Sequence, residues 1–145
     1  MADVNIWFPL LYPGDPKHPL AKAWFTGQAE KSVGLCRFVQ IALIRLLSTR
    51  KLMGANVLST RAAYDLIGAY AADSRVIWLP EPDGLDHPFS DFLHYPVPTP
   101  QLVADAYLAA FAIASRYRFV TFDKGFKQFR GLDLELLKAP THPNS

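Results

Sequence analysis

The 145-residue sequence predicts an α/β fold, a three-layer α/β/α sandwich with a central, mainly parallel sheet. Short apolar segments typical of buried strands alternate with helical segments of about ten residues or more, and this order indicates a parallel sheet covered on both faces. Half of the residues are hydrophobic and 19% are charged, so the chain can bury a core of its own. We therefore expect a single domain over residues 1–138, followed by a tail over residues 139–145.

The individual elements are predicted from apolar periodicity, capping residues and prolines. Thr99 followed by Pro100 is typical of the start of a helix. The prolines between residues 80 and 100 predict loops, which would contain Phe89 and Phe92. The predicted helices span residues 6–11, 18–30, 37–47, 59–72 and 100–117, and the predicted strands span residues 32–36, 76–79, 119–122 and 132–137.

Several functional classes are excluded by the composition and by missing motifs. The formal net charge of +2 is too small for a histone-like binder, and the single Cys36 excludes a disulfide scaffold or a cysteine-rich zinc site. The glycines have neither dinucleotide-binding nor P-loop spacing, and no Gly-x-Ser-x-Gly motif occurs. These absences argue against nucleotide-dependent oxidoreductases, kinases and serine hydrolases. Because the sequence has no visible signal peptide and no apolar run of about 18 residues, we expect a cytoplasmic protein that does not enter membranes.

Three aspartates occupy positions where a purely structural role is difficult to argue. Asp105 is the only charged residue between Thr99 and Ser115, in an apolar helix where a carboxylate loses its hydration. Asp123 follows a predicted buried strand, at the edge of a parallel sheet where ligands bind, and Asp3 precedes a short apolar helix. If the three meet at one sheet edge, their repulsion favours a divalent cation with hard oxygen ligands, Mg²⁺ or Mn²⁺. Such an ion can activate water and neutralise charge on a phosphodiester.

Each aspartate also has a structural alternative. Asp105 could cap a neighbouring element or pair with an arginine. Asp123 could form an Asx turn before Gly125, and Asp3 could be an ordinary exposed residue. A phosphatase with Asp3 as its nucleophile is a weaker alternative, since Asn5 stands where such enzymes usually carry a second aspartate.

Four stretches of the chain come in an order that is typical of one family. They are Asp3-Val4-Asn5, residues 38–47, Ala104-Asp105-Ala106-Tyr107-Leu108-Ala109 and Val120-Thr121-Phe122-Asp123-Lys124-Gly125-Phe126. In these stretches the chain resembles PIN domains, and most of all the VapC-type toxins of bacterial toxin–antitoxin pairs. The resemblance implies a Mg²⁺-dependent ribonuclease that forms a homodimer, cuts RNA and is silenced by a VapB-type antitoxin. It also implies catalytic and metal-binding roles for Asp3, Asp105 and Asp123, with Asn5 and Thr121 as supporting polar groups.

The chain departs from the family pattern in two places. Members usually carry a glutamate in the helix that corresponds to residues 37–47, whereas no carboxylate occurs anywhere from Lys31 to Tyr64. That position is held by Ala42 or by Gln40, and Gln40 is included as a supporting polar residue. The missing glutamate keeps open a catalytically degenerate PIN domain that only binds RNA or protein. In addition, only two residues precede Asp3, which predicts a very short first strand or a native start further upstream.

Basic residues are concentrated in two parts of the chain. Six occur from residue 31 to residue 64, where there is no acid, and a second group follows Asp123. An RNA backbone needs such cations for affinity and for steering. Because Arg45 lies among apolar neighbours, we also expect it to be partly buried and to pair with one of the aspartates. The predicted RNA-binding residues are Arg37, Arg45, Lys124 and Lys127.

Overall fold

Helices and parallel strands alternate along the chain in a computed structural model that describes residues 1–94 and 99–138. The helices are α1 (Val4–Leu11), α2 (His18–Thr26), α3 (Arg37–Leu47), α4 (Arg50–Met53), α5 (Thr60–Ala71), α6 (Asp86–Leu93) and α7 (Pro100–Ser115). The strands are β1 (Val33–Cys36), β2 (Val76–Leu79), β3 (Phe119–Thr121) and β4 (Leu134–Leu136). Two short 3-10 helices span Gly54–Asn56 and Lys124–Gln128.

The strands form two parallel pairs, with the chain start beside one of them. β1 pairs with β2, and β3 pairs with β4. The first strand is represented by a single parallel bridge between Ala2 and Val120 of β3. Met1 also lies against β1, because a Cβ atom placed on Gly34 would be 3.5 Å from the Met1 Cα atom. The chain start therefore lies between the two pairs, and Asp3 follows it directly.

Helices α1 and α7 supply many of the buried apolar side chains of the core. Trp7 of α1 and Phe111 of α7 are among the largest fully buried side chains. Four buried alanines contribute to the packing of α7: Ala106, Ala109, Ala110 and Ala112. The helix ends at Arg116, which adopts a left-handed backbone conformation with φ of +59°. Helix α7 therefore ends at a defined residue, and Asp105 lies near its beginning.

The observed boundaries agree closely with the predicted ones for α3, α5, β1 and β2. Helix α2 is shorter than predicted and ends at Thr26, and the last strand is reduced to Leu134–Leu136. The predicted tail over residues 139–145 lies outside the described residues, so the division into a domain and a tail stays a prediction. Thr99 is the N-cap of α7 as predicted, although its side chain makes no capping hydrogen bond.

The prediction of loops between residues 80 and 100 is wrong in part, because α6 lies there. Phe89 belongs to this helix, and Phe92 is buried against Phe129 with ring centroids 4.9 Å apart. Pro88 obscured the helix in the sequence. It stands in the first turn, where a missing N–H costs little because that N–H has no partner within the helix.

None of the helices formed by residues 1–94 and 99–138 combines the length and the apolar character needed to cross a membrane.

Candidate active site

Asp3 is a buried carboxylate at the junction between the first strand and α1. It caps α1, because its Oδ1 atom accepts a hydrogen bond of 2.7 Å from the backbone N–H of Val4. Its own backbone N–H donates to the carbonyl of Val120 at 2.9 Å, which anchors it to β3. Only 7% of the residue is exposed. The alternative in which Asp3 is an ordinary exposed residue is therefore wrong.

Thr121 connects the two ends of the chain at this point. Its hydroxyl donates to the Oδ2 atom of Asp3 at 2.8 Å. The Oγ1 atom of Thr121 in turn accepts from the Nδ2 atom of Asn5 at 3.0 Å and from the backbone N–H of Asp123 at 3.0 Å. The Asn5 side chain also accepts from the backbone N–H of Phe122 at 3.2 Å. Asn5 and Thr121 thus hold both aspartates in place through one fully buried hydroxyl.

Asp123 lies just beyond β3 and is exposed. Its Oδ1 atom accepts a hydrogen bond of 2.8 Å from the backbone N–H of Gly125 and caps the Lys124–Gln128 3-10 helix. The Asx turn that the sequence allowed is therefore present. The other carboxylate oxygen has no protein partner among the described residues, which leaves it available to a ligand.

Asp105 lies in the second turn of α7 and is partly buried. Within the described part of the chain, its carboxylate has neither a hydrogen-bond donor nor an ion-pair partner. The arginine pairing and the capping role that the sequence allowed are thus absent there. A half-buried, unpaired carboxylate is unfavourable for folding, so its presence requires another explanation.

The three carboxylates influence one another electrostatically. Burial, followed by the negative charges of Asp105 and Asp123, raises the pKa of Asp3 to about 6 against its ordinary value of 3.8. Burial and the charge of Asp123 also raise the pKa of Asp105. Like charges placed together in this way are stabilised when a cation binds between them.

The donor set is that of a hard cation, although the carboxylates are loosely grouped. The polar side-chain groups of the site are the three carboxylates, the Thr121 hydroxyl and the Asn5 amide. Oxygen ligands of these kinds are the ones that Mg²⁺ and Mn²⁺ prefer. Across residues 1–94 and 99–138, no three His, Cys, Asp or Glu side chains are arranged so that they could directly hold a metal ion. Mg²⁺ usually keeps several waters and takes only one or two protein carboxylates, so the arrangement fits an ion bound partly through water.

Gln40 and Arg37 contact each other rather than the aspartates. Arg37 donates to the Oε1 atom of the buried Gln40, and its guanidinium lies 4.6 Å from the ring centroid of Trp78. The ring of the adjacent Phe38 lies 5.1 Å from that of Tyr107, two residues beyond Asp105. Arg37 therefore lies at the end of the molecule where α3 meets α7.

Arg45 does not behave as predicted. It is exposed, and it forms no salt bridge with any residue that the structure describes. Arg45 is exposed because the outer face of α3 carries apolar side chains that are themselves exposed to solvent. Ile41 on this helix, for example, is 51% exposed. Apolar neighbours in the sequence therefore did not indicate burial here, and the predicted ion pair with an aspartate is wrong.

Two contacts near the carboxylates were not expected from the sequence. The Tyr107 hydroxyl donates to the Oε1 atom of Glu81 at 2.8 Å, and burial together with this bond raises the pKa of Tyr107 above its ordinary range. Lys17 places its Nζ atom 4.8 Å from the ring centroid of Phe122. Both pairs are distant in sequence, and no local pattern signals them. Lys124 and Lys127, predicted to contact RNA, are exposed beside Phe122.

Two curated proteins of Mycobacterium tuberculosis are similar to this chain over most of their length. Ribonuclease VapC41 is 37% identical over an alignment of 142 positions, and the alignment covers 94% of this chain and 97% of that protein. Ribonuclease VapC44 is 35% identical over an alignment of 128 positions, and the alignment covers 86% of this chain and 85% of that protein.

Solved structures show the same fold at lower identity. VapBC2 from Rickettsia felis, crystallised with a DNA fragment from its promoter, superposes with a TM-score of 0.63 at 14% identity, covering 94% of this chain and 96% of that one. M. tuberculosis VapC20, a toxin that cleaves the sarcin–ricin loop, superposes with a TM-score of 0.62 at 20% identity, covering 90% and 96%. No family model matches the sequence. The identity to the two ribonucleases nevertheless extends over nearly the whole chain, and the chain belongs to the VapC family of PIN-domain toxins.

Proposed function

We propose that this protein is a Mg²⁺-dependent endoribonuclease, the toxin of a type II toxin–antitoxin pair, and that Mn²⁺ can replace Mg²⁺. The observation that carries the proposal is the buried Asp3, held by Thr121 and coupled by charge to Asp105 and Asp123. The similarity to ribonucleases VapC41 and VapC44 supports RNA as the substrate.

The chain's own residues would act by holding the ion and the RNA. Asp3, Asp105 and Asp123 supply the negative charge that binds the ion, and Thr121 with Asn5 keeps Asp3 and the start of the Asp123 turn in position. When bound, Mg²⁺ supplies positive charge that polarises an attacking water and the scissile phosphodiester. Arg37, Lys124 and Lys127 supply cations to hold the RNA backbone, and the exposed Arg45 is available for the same task.

We further propose that a VapB-type antitoxin binds this chain and that the toxin forms a homodimer. The similarity to VapBC2 of R. felis supports the antitoxin. Exposed apolar side chains on α3, including Phe38 and Ile41, supply apolar surface that a protein partner would cover.

RNA cleavage by the purified toxin, free of antitoxin, tests the proposal. We expect discrete products from a panel of defined tRNA and mRNA substrates with Mg²⁺ or Mn²⁺ and none with EDTA, because the carboxylates alone cannot polarise the phosphate. Asp105→Asn should lower the cleavage rate at least tenfold, since it removes one charge that holds the ion while leaving the half-buried site similar in size. Asp65→Asn, on the exposed outer surface of α5, is the matched control and should cleave like the unaltered protein.

The degenerate binding module would give a different result. Folded protein that cleaves none of the RNAs in either metal, yet binds RNA or antitoxin with and without Asp105→Asn, would contradict the nuclease. The missing glutamate would then be the first residue to restore, as Ala42→Glu or as Gln40→Glu, since either position can correspond to it.

A further inference from the structure

A pocket of about 560 Å³ opens beside the carboxylates, at the carboxyl ends of β3 and β4. Phe122 directly follows β3, and Leu137 follows β4 and donates its backbone N–H to the carbonyl of Thr121 at 3.0 Å. The volume is in the range of pockets that hold small organic molecules. Its lining residues, called the lysine pocket below, are Lys17, Phe122, Lys124, Lys127, Leu136, Leu137 and Lys138.

The lysine pocket is strongly positive. Its four lysines come from three separate segments: the loop before α2, the Lys124–Gln128 3-10 helix and the residue two places after β4. All four are exposed, and none forms an ion pair with a carboxylate in the parts of the chain that the structure describes. Among the described residues that line the pocket, none is acidic. Four unpaired ammonium groups around one opening attract an anion.

The pocket also has an aromatic and apolar wall. The ring of Phe122 is partly exposed, and the Lys17 Nζ atom lies 4.8 Å from its centroid. Leu136 and Leu137 complete the apolar part. A ligand that fits this lining carries negative charge and a flat ring within a short distance, as every nucleotide of a single-stranded RNA does. An acidic peptide supplies the charge but not the ring.

We propose that the lysine pocket binds one nucleotide of a single-stranded RNA substrate, with its phosphate on the lysines and its base on Phe122. The assignment rests on the proposed function, because it places this nucleotide next to the phosphate that is cut. Phe122 and Lys124 flank Asp123 in the chain, so a strand that reaches the carboxylates passes the mouth of the pocket. The pocket thereby sets which phosphate of the strand reaches the carboxylates.

Binding of a fluorescently labelled single-stranded RNA, followed by anisotropy at several salt concentrations, tests the assignment. All proteins carry Asp105→Asn and contain Mg²⁺, so that the RNA is not cut during the measurement. We expect the double change Lys17→Gln with Lys138→Gln to weaken binding about tenfold and to reduce the log–log salt slope by about 1.4, because two phosphate contacts are lost and each contributes about 0.7 to that slope. Phe122→Leu should weaken binding at least fivefold with the salt slope unchanged, because it removes stacking and no charge.

Lys22→Gln, an exposed lysine of α2 outside the pocket and outside both basic groups of the sequence, is the control for loss of a surface charge. Unchanged midpoints of thermal unfolding establish that the variants are folded. If the lysine pair behaves like Lys22→Gln, or if it weakens only the binding of a poly-glutamate peptide and not of RNA, the assignment is overturned. Failure of the proposed nuclease would appear separately, as absence of cleavage by the unaltered toxin while RNA binding still depends on the pocket.

Discussion

Asn in place of Asp3 is expected to stabilise the folded protein at pH 7.5 while lowering RNA cleavage by at least a thousandfold. Stability and activity change in opposite directions because Asp3 is a buried charge with no cationic partner among the described residues. The protein tolerates this charge at a cost, and the proposed ion is what would offset it. If Asp3 contributed only to folding, its replacement would lower the stability of the protein.

The size and the sign of the stability change follow from the pKa of Asp3. Burial raises this pKa to about 6 from 3.8, so the folded state binds more protons than the unfolded state between those values. Stability therefore falls as pH rises from about 4 to about 6, and the full cost of about 3 kcal/mol is present above pH 7. Asp3→Asn removes this loss but can accept only one of the two hydrogen bonds that Asp3 accepts from Val4 and Thr121, because an amide has a single acceptor oxygen. The net gain is therefore about 1–2 kcal/mol at pH 7.5.

Urea unfolding at pH 4.5, 6 and 7.5, with and without Mg²⁺, measures these effects. The unaltered protein should lose stability over this range and regain part of it when Mg²⁺ is added, because the ion binds only the folded site. Asp3→Asn should show a flatter profile and little response to Mg²⁺. Asp65→Asn changes an exposed, salt-bridged carboxylate and should follow the unaltered protein at every pH. A less stable Asp3→Asn at pH 7.5 would show that the buried charge is already compensated.

The sequence was sufficient for elements whose boundaries depend on local chemistry. Helix α3 and strand β2 lie where the sequence predicts them. Apolar periodicity indicates α3, and Pro80 directly follows the end of β2. Helix α6 was missed since Pro88 in its first turn resembles a loop signal. Arg45 was placed wrongly because apolar residues on the outer face of α3 are exposed, and the sequence carries no information about which surfaces are covered.

The candidate site depends on contacts that a sequence does not contain. The approach of Asp3 to Thr121 follows from the parallel bridge between Ala2 and Val120, residues 118 positions apart. The family resemblance pointed to these residues, but the hydrogen bonds that hold them appear only in three dimensions. The same holds for Lys17, which no local pattern connects with Phe122. The sequence shows which residue types are available for the site. It does not show the strand register or the contacts between distant residues that bring them together.

Thr121→Val is expected to lower the free energy of unfolding by about 2–4 kcal/mol at pH 7.5. The substitution keeps the side-chain volume but removes a buried hydroxyl that donates to Asp3 and accepts from Asn5 and from the Asp123 backbone. Three polar groups then lose a partner where water is largely excluded, and each unsatisfied group costs about 1–3 kcal/mol before relaxation. Cleavage should fall as well, because Asp3 and the Asp123 turn are no longer held together.

Thr121→Ser separates the hydroxyl from the packing of the side chain. It keeps the three hydrogen bonds and removes one buried methyl group, so the expected loss is about 1 kcal/mol. The two variants should also differ in pH dependence. The hydroxyl lowers the pKa of Asp3, so Thr121→Val raises that pKa further and extends the fall in stability to higher pH, whereas Thr121→Ser leaves the profile in place. Equal losses and identical profiles for the two variants would mean that Thr121 contributes by packing alone, and the link between the two aspartates would then have no energetic content.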